Sequence, residues 1–576
     1  MRIGVLLALV LLAVPTASGA KIDPASVLGK PVKDFRLRDY RGKIHALKDY
    51  QKSKIVVIAV MGNECPLAKL YAPRLERLSR KFKDRGVVFL GLNANLQDSV
   101  REIAAYARIH KITFPILKDV GNKIADRLAA ERTPEVIVLD QQRKVRYRGR
   151  IDDQYDVGTV LPKARNTDLI NALEAVLAGK DVKRKITKSR GCIIGRTRRV
   201  KPTGTITYSK QISRLLQKRC VNCHRKGEIA PFPLTSYKEV LGWAEMMEEV
   251  IDEGRMPPWN ANPKYGHFKN DSRMSTEEKE LFYKWVENGC PKGDPNDLPK
   301  PVKYTVGWSI RQPDVVFKMR NQPYRVPAEG VVRYKYFSVQ THFKEDKWIQ
   351  AAEARPGNRS VVHHIVVLVR PPGSRSSGLR RGFLAGYAPG LPPRVYPKGT
   401  ARLIPKGSRL IFQLHYTPNG SSQLDNSSVG FVFADPKTVT HKASGGMIAK
   451  RRFEIPPGDG NYKVTSSHHF RSRQTLLSLT PHMHLRGKSF RYEAFYPNGK
   501  SEILLDVPKY DFNWQLRYDL ATPKVMPRGT KIVCTARFDN SSENLNNPDP
   551  KKAVRWGDQT WEEMMIGWFS AKVKRK

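Results

Sequence analysis

Cysteine is scarce in this chain, with six in 576 residues. That excludes a scaffold held together by disulfides, which needs many closely spaced cysteines in a short chain. Acidic residues are also few, 54 against 102 Lys and Arg, for a formal net charge of +48. Such a balance points first to nucleic acid. No helix-turn-helix, zinc-finger or RNP pattern is present to read one, so nucleic acid is excluded as the partner. Among specific counterparts an anionic envelope surface fits better, at about 1 kcal/mol per well-placed Lys or Arg, though the first expectation is a solvated basic surface without a specific partner. Long apolar runs are missing as well: the run 3–14 falls short of the roughly 20 residues a membrane-spanning helix needs. Arg2 precedes it and Ser18-Gly19-Ala20 follows, so 1–20 is expected to be a cleaved signal peptide and the protein periplasmic or secreted, with an uncleaved anchor as the alternative. The length predicts roughly three to five domains.

The stretch Cys220-Val221-Asn222-Cys223-His224 has the spacing of a c-type haem attachment site. Two cysteines three apart, Cys220 and Cys223, each add to a porphyrin vinyl group, and His224 ligates the iron. Met256, in Gly254-Arg255-Met256-Pro257-Pro258-Trp259, is the expected second axial ligand; Met246, Met247, His267 and an open position are alternatives. Half of a zinc site would need a second cysteine pair, and none follows with suitable spacing. Around the motif, 212–218, 238–253 and the capped segment from Ser275 to Asn288 predict helices. The region 203–298 is therefore expected to be a small all-α cytochrome c-like domain ending near Cys290, a buried free thiol.

The region 21–180 alternates strands (54–62, 86–93, 134–140, 144–151) with helices (67–84, 100–110, 166–178), which predicts an α/β sheet layered by helices. Cys65 falls where the first strand enters a helix, and the helix N-terminus favours its thiolate. Thr133-Pro134 precedes a strand, making Pro134 a candidate cis-proline beside that sulfur. Asn63-Glu64-Cys65-Pro66-Leu67-Ala68 and Arg132-Thr133-Pro134-Glu135 resemble the thioredoxin superfamily, in its peroxiredoxin-like redoxin branch. Ala68 replaces the second cysteine of Cys-x-x-Cys, so thiol chemistry needs a distant resolving thiol. Cys192, in the basic linker 181–202, is the one nearby candidate; a redox-inactive binding module is the alternative.

The C-terminal half is composed of short strands divided by Pro/Gly turns, which predicts antiparallel sandwiches. Nine of the thirteen histidines lie after residue 340. His482 and His484 share a strand face, whereas adjacent His363 and His364 can share an ion only where the strand is irregular. These residues resemble the copper type II, ascorbate-dependent monooxygenases, the family of peptidylglycine α-hydroxylating monooxygenase. The resemblance implies two jelly-roll-like domains, 303–440 and 445–576, with one copper in each. It assigns His363, His364 and His415 to the first copper, and His482, His484 and Met564 to the second. Thioether with imidazole suits a metal cycling between Cu(I) and Cu(II). The arginine that holds a peptide carboxylate in that family is Thr480 here, and the family's disulfides are missing, so a peptidylglycine substrate is not expected.

The resulting expectation is an exported oxidoreductase: a copper monooxygenase-like half fed with electrons by a fused haem c and accompanied by a redoxin. The alternatives are a non-catalytic copper-binding electron-transfer protein and a thiol peroxidase acting through Cys65.

Overall fold

The computed structural model describes residues 23–161, 163–197, 201–302, 304, 307–374 and 383–575. The expected signal peptide, 1–20, lies outside the described residues. Among those described, no helix is long and apolar enough to cross a membrane.

The N-terminal unit is built on a five-stranded sheet in the order Ile116–Lys118, Val87–Asn93, Ile55–Val60, Glu135–Leu139, Val145–Gly149. The first three strands are parallel and the last two join antiparallel. Every position of Ile55–Val60 is buried, as an unbroken apolar strand covered on both faces must be. Helices Pro66–Phe82, Val100–Ile109 and Asp168–Leu177 supply that cover. Ser99 caps the second: its Oγ accepts the Glu102 N–H at 3.3 Å, and the Glu102 carboxylate accepts the Ser99 N–H at 2.7 Å.

The basic stretch expected as a linker is a strap laid along this unit. Arg148 bridges Ile186, and strand Cys192–Ile193 pairs with Arg132–Thr133. The Gly195 N–H then donates to Asn95 Oδ1 at 3.1 Å. Over its described part, 181–197, the basic side chains face solvent or acids, such as Arg196 beside Asp126 at 3.1 Å, and charge density alone does not distinguish this from a free tether.

The next region is mainly helical: Tyr208–Ile212, Ser213–Arg219, Tyr237–Leu241, Ala244–Asp252 and Thr276–Glu287. The single helix expected over 238–253 is broken at Gly242–Trp243, where the backbone runs so close to Gln97 that a Cβ on Gly242 would meet its Oε1 at 2.5 Å. The region is also not self-contained. Residues 259–268 leave it and dock on the C-terminal sandwich, with the Trp259 and Phe268 rings 4.9 and 5.4 Å from Tyr518.

The C-terminal half is all β. One long sheet runs through it in the order Val315–Lys318, Ser428–Phe433, Lys347–Arg355, Thr400–Ile404, His441–Ala449, Ile566–Lys574, Gln474–His482, Tyr518–Met526. Two four-stranded sheets complete the sandwiches. One contains Val362–Arg370 and Arg409–Tyr416; the other contains Gly487–Phe495 and Lys531–Phe538. The two sandwiches are joined by the parallel pairing of Thr400–Ala401 with His441–Lys442.

Candidate functional site

Cys65 stands at the entry to helix Pro66–Phe82, with Pro66 at the first helical position, where a missing N–H leaves no bond unmade. The thiol is 1% exposed. Its Sγ lies 3.0 Å from the Thr133 carbonyl, to which the protonated thiol donates, and the Thr133–Pro134 bond is cis. The strap sets Cys192 opposite Thr133, and the two thiols hydrogen-bond. Gly191 permits this approach: its φ is +120°, and any Cβ there would sit 2.2 Å from the Thr133 carbonyl oxygen. Burial pushes the Cys65 thiol up. Hydrogen bonds from the Cys192 and Thr133 side chains and the Ala68 and Cys192 backbones outweigh burial and bring it to about 6. Cys192 is held well above the ordinary thiol range by its hydrogen bond to Cys65 and by burial. At neutral pH the pair is therefore a thiolate with its thiol donor beside it. The helix N-terminus anticipated from the sequence is joined by hydrogen bonds that only the strap supplies.

In the β half, His363 and His364 lie on strand Val362–Arg370 and His415 on its neighbour Arg409–Tyr416. The register slips between Val362 and His364, and this irregularity turns both adjacent imidazoles to one side. One ligand nitrogen from each of the three histidines lies within 4.8 Å of the others. His363 Nδ1 and His364 Nδ1 are 3.4 Å apart, and His415 Nδ1 is buried without a hydrogen-bond partner. Burial lowers all three pKa values, so the imidazoles are neutral.

His482 ends strand Gln474–His482, and its ring centroid is 5.2 Å from that of His484. His482 Nδ1 is 2.8 Å from Gln515 Oε1, and His484 Nδ1 is 3.1 Å from the Glu562 carbonyl. Both oxygens can only accept, so Nδ1 carries the proton in each ring and the Nε2 lone pair is left over. His484 Nε2 is indeed buried and unpartnered. Buried Glu563 holds the turn by accepting the His484 and Arg486 N–H groups at 2.9 and 2.6 Å. Met564, 5% exposed, lines one cavity with His364, His482 and His484. The Phe512 ring lies between the clusters, stacked on His363 at 5.4 Å and edge-on to His484 at 5.9 Å. Orphaned imidazole nitrogens with a thioether alongside fit a soft, N/S-binding metal such as copper.

In the helical region, the Cys223 and His224 N–H groups both donate to the Cys220 carbonyl, at 3.1 and 2.9 Å, which folds the motif into one turn. His224 Nδ1 donates to the Phe232 carbonyl at 3.1 Å, fixing the ring and leaving Nε2 for an axial bond. This donor set fits haem c. Met256 sits half-buried in the turn after Ala244–Asp252, its N–H on the Val250 carbonyl at 3.0 Å. Of the alternatives, Met246 Sδ accepts the Ile193 N–H at 3.5 Å and Met247 is in the core. The His267 carbonyl is held by Ala521 on the C-terminal sandwich.

The AhpC/TSA family model matches residues 28–148. The N-terminal domain is a thioredoxin-like redoxin. Over 118 residues the chain is 27% identical to the thiol-disulfide oxidoreductase ResA of Bacillus thuringiensis subsp. konkukian, covering 20% of this chain and 66% of that protein. The thioredoxin-like protein YneN of Bacillus subtilis is 27% identical over 135 residues, covering 23% of this chain and 74% of that one. The crystal structure of a hypothetical protein from Sinorhizobium meliloti 1021 is 28% identical and covers 30% of this chain and 94% of its own, with a TM-score of 0.28. The family match ends before Cys192, so the redoxin's second thiol comes from sequence beyond it. Gly191, Phe512 and Gln515 carry no sequence signal that would have assigned them to a site. Their roles arise from packing between distant segments.

Proposed function

We propose that this chain is an oxidoreductase acting outside the cytoplasm, with its substrate transformed in the β half. The reading is carried by one observation: His364, His482, His484 and Met564 line a single cavity, with His363 and His415 against His364. His363, His364 and His415 would hold one copper, His482, His484 and Met564 the other, and Cys220, Cys223 and His224 a haem c with Met256 as the second axial ligand. Copper there would supply reductive activation of dioxygen or peroxide, as in a monooxygenase, and haem would supply electrons. The chain's own groups do the rest. Gln515 and the Glu562 carbonyl fix the imidazole tautomers, Glu563 fixes the turn, and Phe512 keeps water from the space between the clusters. Tyr387 lines the cavity and lies within electrostatic reach of Cys223 and of Glu228, which pairs with Arg359 at 3.2 Å. The haem motif is thus adjacent to the cavity wall. Oxygen uptake by the reduced protein should require copper, fall strongly in Met564→Ile and survive Cys65→Ser. Uptake that is copper-independent contradicts the reading.

The hydrogen-bonded thiols favour a second activity in the redoxin, thiol–disulfide exchange. The Cys65 thiolate attacks a disulfide and releases one thiol. Cys192 then attacks Cys65 sulfur and releases the second, leaving a Cys65–Cys192 disulfide. Treatment with oxidised glutathione should yield that disulfide in a peptide map together with two equivalents of reduced glutathione. A map in which Cys65 carries only a mixed disulfide rules out Cys192 as the resolving thiol.

A further inference from the structure

The cavity that joins the histidine clusters has a volume of about 150 Å³, room for a ligand roughly the size of benzene. Part of its wall is aromatic and apolar: the Phe383 and Trp568 rings pack at a tilt, 5.6 Å apart, and Ile365 and Ile566 adjoin His364 and His482. In that wall sits Arg394, on the short strand Arg394–Val395 that pairs with Ala351–Ala352. Its guanidinium has a long contact, Nη1 to Ser478 Oγ at 3.4 Å, and no carboxylate partner among the described residues. The neighbouring guanidinium is satisfied. Arg517 grips Asp519 with two bonds of 2.8 and 3.0 Å and donates to the Pro392 and Pro393 carbonyls. No carboxylate side chain is hidden elsewhere, because none of the undescribed residues is Asp or Glu.

A partly buried guanidinium without a counter-ion is costly unless something of opposite charge joins it. Burial, then the charge of Arg517, draws the Arg394 pKa down to about 10, so it is still a cation at neutral pH. From this geometry we infer that Arg394 is the anchor for a substrate carboxylate, and that the cavity takes a small monocarboxylate with an apolar or aromatic body. One unpaired guanidinium neutralises one negative charge in a two-bond fork. A phosphate monoester brings nearly two. The body of such a ligand would lie against the Phe383–Trp568 pair, with the histidine–methionine cluster beyond Ser478 along strand Gln474–His482.

The inference takes its meaning as substrate recognition from the proposed metal chemistry, but its test needs no metal. The full-length, metal-free protein is titrated calorimetrically with phenylacetate, with its uncharged isostere phenylacetamide and with inorganic phosphate. Phenylacetate should bind at least about tenfold more tightly than either, since a charge-assisted bond contributes about 1.5–3 kcal/mol and 1.4 kcal/mol is tenfold. Arg394→Gln should weaken phenylacetate at least about tenfold and leave phenylacetamide unchanged, and Arg394→Lys should recover part of the loss. Equal binding of acid and amide by the unaltered protein overturns the proposal, as does no binding of phenylacetate. So does tighter binding of phosphate, or phenylacetate affinity untouched by Arg394→Gln. Copper titration of the same preparations separates the two readings. Carboxylate selectivity without copper binding leaves the anion site standing and the metal reading fallen; copper binding without selectivity does the reverse.

Discussion

At Cys65 the outcome of burial depends on its neighbours. A buried thiol ordinarily resists ionisation, yet four hydrogen bonds bring this one to about 6. Cys192→Ala removes the largest of them, so the thiolate absorbance of the wild type minus Cys65→Ser should shift its midpoint from near 6 toward the ordinary thiol value of about 8.5. A midpoint unmoved by Cys192→Ala would mean the strap thiol has no part. The sign for stability follows. Because the folded value is depressed, folding favours the thiolate, and the linked stabilisation is complete above the unfolded value of about 8.5 and lost as pH falls through about 6. Cys65→Ser should therefore cost more stability at the alkaline end of that window than at the acid end in denaturant titrations. At Met564 the question is softness rather than charge. Met564→Ile keeps the bulk and removes the sulfur, so Cu(I) affinity at the second cluster should fall by at least the roughly tenfold that loss of even an outer-shell partner costs. Competition with a Cu(I) chelator reads this directly, and unchanged affinity would remove Met564 from the ligand set.

At the scale of elements, the redoxin's central strands, its helices and the main β strands were legible in the sequence, because apolar runs and capping residues determine them locally. The apolar run 54–62 predicts a strand and Ile55–Val60 is one; Ser275 predicts a cap and helix Thr276–Glu287 begins after it. What escaped depends on contacts between distant segments. The strap looked like a tether because its ten Lys and Arg between 180 and 201 hide a two-residue strand. The break at Gly242 depends on Gln97, and the excursion of Trp259 depends on Tyr518. The irregular strand at His363–His364, by contrast, was demanded by the adjacent pair and is present as a register slip. Gly191→Ala tests the strap itself. The new Cβ meets the Thr133 carbonyl at 2.2 Å and forces a residue with φ +120°, a strain of about 1–3 kcal/mol. The strap should lift there, and oxidised glutathione should then form the Cys65–Cys192 disulfide much more slowly. An unchanged rate would show that pairing with Thr133 does not position Cys192.

Over the whole molecule, the thiol pair, the Cys220–His224 turn and the histidine clusters proposed as redox groups are packed rather than strung. The redoxin is tied to the helices by Arg132 on Glu249, and Glu249 also holds Arg255, next to Met256. Ile229, just past the Cys220–His224 turn, packs against the core of the first sandwich, and residues 259–268 reach the second. If Cys220 and Cys223 hold haem covalently, protein from a haem-maturing host should keep its colour through acid–acetone extraction and denaturing electrophoresis, and Cys223→Ser should lose most of it. Complete release of haem from the wild type contradicts the assignment. The central claim is that the β half is a copper centre, and metal analysis of the full-length protein after loading under reducing conditions tests it most directly. Two coppers per chain are predicted, with one lost in His415→Ala and the other in His484→Ala. No more than trace copper in the wild type, or two coppers retained in both variants, would contradict it.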